Sequence, residues 1–148
     1  MKRTFNKCLI TGATGSVGSY FIDFLVKNKI KLKIYGVYRS KGYLNYLKKK
    51  HKKKITLLKL NLRNLDKTTS IIKNFKPDVI FHFASNADVR KSFDSPVDVC
   101  KNNNEITLNL LEATRKLKMS PLIIICSSSE VYGNVALKDQ PISEKNYL

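Results

Sequence analysis

Three stretches of this chain carry residue types that can do chemistry. Gly12-Ala13-Thr14-Gly15-Ser16-Val17-Gly18 spaces its glycines three apart. Such a turn lets backbone N–H groups come close to an anion, because glycine puts no Cβ in the way. Ser127-Ser128-Ser129-Glu130-Val131-Tyr132-Gly133 sets hydroxyls beside a carboxylate, a combination that can hydrogen-bond a substrate hydroxyl and move a proton. Tyr38-Arg39-Ser40-Lys41 joins a guanidinium to a hydroxyl, and no Asp or Glu occurs between Asp23 and Asp66. A guanidinium grips a phosphate by charge and by its two-point fork.

Each stretch follows a segment able to position it. Lys7–Thr11 (KCLIT) is a short apolar run that predicts a buried strand. Ser16–Lys27 places Val17, Tyr20, Phe21, Phe24 and Leu25 at a helical period. Leu32–Tyr38, Ile55–Leu60, Val79–Phe83 and Leu122–Cys126 read as four further strands. Asp66–Phe75 reads as a short helix capped by Asp66 and stopped by Pro77. Ser95-Pro96 opens a long helix to Lys118, with Ile106, Leu110, Ala113 and Leu117 on one face.

Strand and helix alternate, and the strands are continuous apolar runs. That pattern predicts an α/β fold: a parallel sheet covered on both faces, doubly wound in the Rossmann manner with strand order 3-2-1-4-5. Ligands in such sheets bind beyond the carboxyl ends of the strands, where all three stretches fall. Between the first strand and the first helix, the glycine stretch becomes a strong dinucleotide signal. Gly12, Gly15 and Gly18 give the turn, the close approach to a pyrophosphate and the helix–strand packing. Thr14, Ser16 and Val17 share the loop, whose helix N-terminus supplies free N–H groups. An NAD site usually ends the second strand in Asp or Glu; here it ends in Arg39, which favours NADP.

Composition bounds the rest. A chain of 148 residues, 43% hydrophobic, suits one domain with a real core. The longest apolar run, Leu122–Cys126, is too short to span a membrane, and no signal peptide is recognisable. Cys8, Cys100 and Cys126 lack metal-site spacing; two lie in strand-like runs, so reduced, buried packing residues in a cytoplasmic protein are expected. The net charge of +17 suits an anionic ligand. Its densest run, Lys48–Lys54, has no interleaved aromatics and leads into a strand, so it reads as a solvated basic loop rather than a nucleic-acid surface.

TGATGSVGSY, VIFHFASNADVRKSF, NLLEA at 109–113 and SSSEVYG together resemble the extended short-chain dehydrogenase/reductase family of nucleotide-sugar enzymes. The resemblance implies that Gly12, Gly15 and Gly18 hold the pyrophosphate, that Asn61 and Leu62 contact adenine, and that Ala84 and Ser85 line the cofactor. It implies that Ser128 hydrogen-bonds the sugar's 4-hydroxyl. Asn103 matches an Asn of the family's long helix, with the register open by one residue across Asn102–Asn104. Glu130 separates subfamilies: sugar 4-epimerases lack an acid there, whereas 4,6-dehydratases use it to remove the C5 proton. The Ser-Glu pair, VRKSF at 89–93 and Arg39 are most similar to the GDP-mannose 4,6-dehydratases. UDP-glucuronate decarboxylases share the pair but favour NAD, and a related epimerase, a reductase or a non-catalytic dinucleotide-binding module are the other readings.

The implied reaction is internal redox through NADP, with hydride leaving C4 and returning to C6 as water departs. Two positions depart from the family: Asn61 stands for Asp, and Ile106 for Gly. The family's Tyr and Lys, four residues apart after the fifth strand, do not follow Gly133; Tyr46 and Lys50 have the spacing only before the third strand. Residues 1–148 are therefore expected to be the cofactor-binding front of a longer enzyme, a homo-oligomer when full length, its nucleotide-sugar-binding part lying beyond.

Overall fold

The computed structural model describes residues 4–146. The chain runs β1 (Lys7–Thr11), α1 (Ser16–Lys27), β2 (Lys33–Tyr38), α2 (Leu44–His51), β3 (Ile55–Lys59), α3 (Leu65–Phe75), β4 (Val79–His82), α4 (Val89–Asp94), α5 (Pro96–Lys116) and β5 (Leu122–Ile125). Two short 3-10 turns, Ser129–Tyr132 and Leu137–Asp139, follow. The strands form one parallel sheet in the order β3-β2-β1-β4-β5, as expected.

The central strand shows why these strands lack a polar face. In β1, Cys8 and Ile10 enter a layer with Ile22 and Leu25 of α1 and Leu47 of α2. Leu9 between them enters the opposite layer with Ile72 and Phe75 of α3 and Ile106 and Leu110 of α5. Both faces are covered, so the successive positions Cys8, Leu9 and Ile10 are all apolar. The start of β1 is tied to β4 by Asp78, whose Oδ2 accepts from the amides of Asn6 and Lys7, each at 2.8 Å.

Several expectations need correction. Leu44–His51 is a helix, and only residues 52–54 of the expected basic loop remain a turn. Leu44, Leu47 and His51 share its buried face; the lysines opposite mask that period in the sequence. Asp23 of α1 anchors this helix. Its Oδ1 meets His51 Nε2 at 2.8 Å, Lys50 Nζ at 3.0 Å and the Tyr46 hydroxyl at 3.0 Å, and its Oδ2 meets Lys27 Nζ at 2.5 Å. Lys27 foremost, then His51 and Lys50, hold the Asp23 carboxyl well below the usual carboxylate range. Tyr46 and Lys50 are joined at 2.6 Å within this cluster.

The cap of α3 is Asn64, whose side chain accepts from Lys67 N at 2.8 Å; Asp66 lies in the first turn, where it faces the positive end of the helix dipole. Val89–Asp94 forms a short helix that period alone does not announce. The predicted bounds of β2, β3, β4 and β5 each extend one residue too far, and α5 stops at Lys116 because Lys118 takes a left-handed φ of 51°. Expected coverage fails at β5: Leu122, Ile124 and Ile125 are exposed, and Cys126 beyond them is exposed rather than packed. Cys8 is buried as expected, and burial pushes its thiol up to about 12, which leaves it inert.

Candidate functional site

β1 delivers the chain to Gly12, which sits at φ +66°. A Cβ there would lie 2.8 Å from the carbonyl of Phe83 and the amide of Ala84, so β1 and β4 approach closely only because the residue is glycine. Gly15 N then donates to Gly12 O at 2.9 Å, closing the turn. Thr14 ties this loop to the one after β2: its hydroxyl donates to Ser40 O at 2.8 Å, and its carbonyl accepts from Tyr43 N at 2.8 Å. Gly15 is the N-cap of α1 and offers no side-chain cap. The first-turn amides of α1 are thus left at a positive helix end, an arrangement that suits a phosphate.

A two-lobed groove runs along the carboxyl ends of the strands. One lobe, of about 140 Å³, is lined by Gly12, Thr14, Gly15, Arg39, Asn61, Leu62, Asn102 and Ile106, among others. The second, of about 750 Å³, is lined by Val17, His82, Asn86, Asn103, Thr107 and Ser128, among others. Phe83, Ala84 and Ser85 wall both lobes.

The fold therefore brings together most of the residues singled out in the sequence. Gly12, Thr14, Gly15, Arg39, Asn61 and Leu62 meet around the small lobe, Val17, Asn103 and Ser128 around the large one, and Ala84 and Ser85 between them. Ser16 and Gly18 line neither lobe: Ser16 is exposed at the start of α1, and Gly18 is buried beneath the loop. Asn61 spends one acceptor position of its side chain on Arg63 N at 3.2 Å. Glu130 lies on the Ser129–Tyr132 turn, exposed and outside the wall of the large lobe; its amide donates to Ser128 Oγ at 3.2 Å. The Ser129 side chain lies outside what the structure describes.

Sequence reasoning missed a polar chain along the floor. Thr107 Oγ1 donates to Asn103 O at 2.9 Å, so its only hydrogen is committed. His82 Nε2, 3.1 Å from that oxygen, must therefore carry a proton and donate. The other ring nitrogen, Nδ1, then accepts from Thr11 Oγ1 at 2.8 Å, and Thr11 Oγ1 in turn accepts from Ala84 N at 3.2 Å. This fixes a neutral imidazole in one tautomer, in line with burial lowering the His82 pKa. Two of the asparagines of α5 have different partners. Asn103 grips the loop after β4, accepting from Asn86 N at 2.7 Å and donating to Asn86 O at 3.2 Å. Asn102 faces the small lobe, and its Oδ1 accepts from Arg39 NH1 at 3.0 Å. The signal available in sequence was His82, a polar residue inside an otherwise apolar strand.

Among the described residues, no group of His, Cys, Asp or Glu could hold a metal ion, and no helix is long and apolar enough to cross a membrane.

A parallel 3-2-1-4-5 sheet with a glycine cradle at its carboxyl edge defines a Rossmann-type protein. Residues 9–148 match the family described as GDP-mannose 4,6 dehydratase, and the chain belongs to that family, among the nucleotide-sugar epimerases and dehydratases of the extended short-chain dehydrogenase/reductase class. It is 29% identical over 138 residues to a UDP-glucose 4-epimerase of Mycoplasma pneumoniae, which covers 92% of this chain and 40% of that protein. It is 31% identical over 130 residues to a GDP-mannose 4,6-dehydratase of Sordaria araneosa, covering 86% of this chain and 24% of the relative. The crystal structure of UDP-glucose 4-epimerase from Bifidobacterium longum, in complex with NAD+ and UDP, superposes with a TM-score of 0.83 at 25% identity, over 96% of this chain and 42% of the other. The chain thus spans less than half the length of these relatives.

Proposed function

We propose that residues 1–148 are the cofactor-binding part of an NADP-dependent nucleotide-sugar 4,6-dehydratase acting on GDP-mannose. The observation that carries this reading is the turn after β5, where Ser128 walls the large lobe and Glu130 follows two residues on. A hydroxyl and a carboxylate at that place are the acid–base equipment a dehydration needs.

The groove fits a nicotinamide dinucleotide. Gly12 and Gly18 keep side chains out of the loop, α1 presents uncapped amides, and the two lobes offer separate berths for its halves. When bound, the cofactor supplies reversible hydride exchange with the sugar. The chain's own residues do the rest. The loop Gly12–Gly18 holds the diphosphate, with Thr14 fixing its shape and Ser16 and Val17 contributing amides. Asn61 and Leu62 flank the base, Ala84 and Ser85 support the middle, and Asn103 holds the Asn86 loop in place. Arg39 takes a 2′-phosphate, which supports NADP over NAD. Ser128 orients the sugar's 4-hydroxyl, and Glu130 removes the C5 proton so that water leaves from C6.

Glu130→Gln in the full enzyme tests the reading. Formation of the 4-keto-6-deoxy sugar nucleotide from GDP-mannose should fall by about 10²–10⁴-fold, the usual worth of a general base. Normal turnover removes Glu130 from the mechanism. Similarity to UDP-glucose 4-epimerases favours a second reading, epimerisation of a UDP-hexose; turnover of UDP-glucose without loss of water would select it. The exposed Val97, Leu108 and Leu111 of α5 support a homo-oligomer that associates along this helix.

A further inference from the structure

Arg39 stands apart from the other arginines. Arg63, Arg90 and Arg115 each meet a carboxylate, of Glu105, Asp94 and Glu112 respectively. Arg39 is the only arginine among the described residues with no such partner, and it lines the groove. What holds it is a neutral amide from a distant helix: Asn102 Oδ1 accepts from its NH1 at 3.0 Å across a sequence separation of 63.

The asparagine is itself held in one orientation. Asn102 is 9% exposed, and its Nδ2 donates to Asn103 Oδ1 at 3.0 Å. Asn103 cannot flip either, because its Oδ1 accepts from Asn86 N and its Nδ2 donates to Asn86 O. The loop after β4 thus dictates which end of the Asn102 amide faces Arg39. An exposed arginine is normally free to sample many rotamers, and binding then has to order it. Here the order exists beforehand. A carboxylate at position 102 would cancel the charge of the guanidinium and turn an oxygen toward Asn103 Oδ1, losing that hydrogen bond; asparagine holds both partners and leaves the charge uncompensated, with four N–H donors still free.

We infer that Asn102 is a positioning residue for cofactor choice: it presets Arg39 for a phosphate monoester on the adenosine ribose and thereby sets the preference for NADP over NAD. The inference rests on the proposed NADP reading of Arg39.

Equilibrium titrations of the protein with NADPH and NADH, followed by nicotinamide fluorescence, test it. Asn102→Ala should weaken NADPH binding by about 3- to 10-fold, the worth of one hydrogen bond, and leave NADH within about twofold. Asn102→Asp neutralises Arg39 at the loss of the hydrogen bond to Asn103 Oδ1, so it should weaken NADPH by about tenfold or more and NADH by clearly less, lowering the ratio between them. It also serves should the alanine variant fail to fold. Equal losses for both cofactors, or an unchanged ratio in both variants, overturn the role of Asn102. A wild-type protein that prefers NADH, or an Arg39→Ala variant that keeps the NADPH preference, overturns the underlying reading of Arg39 instead.

Discussion

Gly18 offers a test in which two physical effects have opposite signs. The residue lies in the first turn of α1, where alanine is worth about 1 kcal/mol more than glycine in helix propensity. On that ground alone Gly18→Ala stabilises the protein. The contacts argue otherwise. A Cβ at this position would collide with the Gly12 carbonyl oxygen and lie 2.9 Å from both Gly12 C and Ala13 Cα, where carbon atoms pack best at about 3.5–4.0 Å. All three atoms are backbone, so no side chain can swing aside. The helix must move, and α1 carries Ile22 and Leu25 into the core. Overpacking of this kind costs about 1–3 kcal/mol. With backbone on every side we take the upper end, so about 2 kcal/mol of net destabilisation remains after the propensity gain. For a domain of this size that lowers Tm by about 4–8 °C. Urea melts of wild type and variant measure it directly, with m unchanged. A Gly18→Ala protein as stable as wild type, or more stable, would refute the reasoning, because the close seat of α1 on the loop would then not exist.

Other outcomes follow from the same geometry. Leu110, fully buried between α5 and the sheet, should cost about 2–5 kcal/mol as Leu110→Ala, read from the same melts; a loss under about 1 kcal/mol would mean that layer is not packed as described. His82 is held neutral, its pKa lowered by burial from a usual 6.5, so below that pH the unfolded chain binds the extra proton. Stability contributed by His82 is complete above pH 6.5 and declines as pH falls from there toward the folded value; a His82→Gln variant should lose that slope. Asp23 works lower on the scale. Its depressed carboxyl contributes stability present above the usual carboxylate range and lost as pH falls below it, and Asp23→Asn should flatten acid unfolding in that region. An unchanged acid profile would show the cluster with Lys27, His51 and Lys50 to be inert.

The parts of the fold that sequence makes legible are those set by one dominant period. A strand buried on both faces is apolar at successive positions, and in β1 Leu9 with Ile10 shows it in two adjacent residues. α2 is hidden because its buried face needs only Leu44, Leu47 and His51, and one of those is a histidine satisfied by an aspartate on another element. The cap of α3 is misplaced because Asn64 and Asp66 are both cap-forming residues, and only backbone geometry chooses between them. In the site, the glycines and Arg39 announce themselves by type and spacing. Asn102 and the Thr11–His82–Thr107 chain do not, since their meaning lies in partners dozens of residues away. Glu130 is a partial case: its turn is where the sequence puts it, but its side chain is outside the cavity wall.

The strand order carries a consequence for the order of assembly. Of these strands β1 is made first, and its two neighbours arrive at very different times. β2 follows within about thirty residues, whereas β4, whose approach Asp78 secures, lies some seventy residues downstream. The sheet therefore grows outward from its oldest strand, and its parallel pairings each wait for a crossover helix to be built. On a ribosome, β3-β2-β1 can form with one flank of β1 bare, and the glycine cradle has no opposite wall until β4 closes against Gly12. Competence to hold a ligand is thus a late, whole-sheet event in the life of the nascent chain, however early in the sequence its glycines stand.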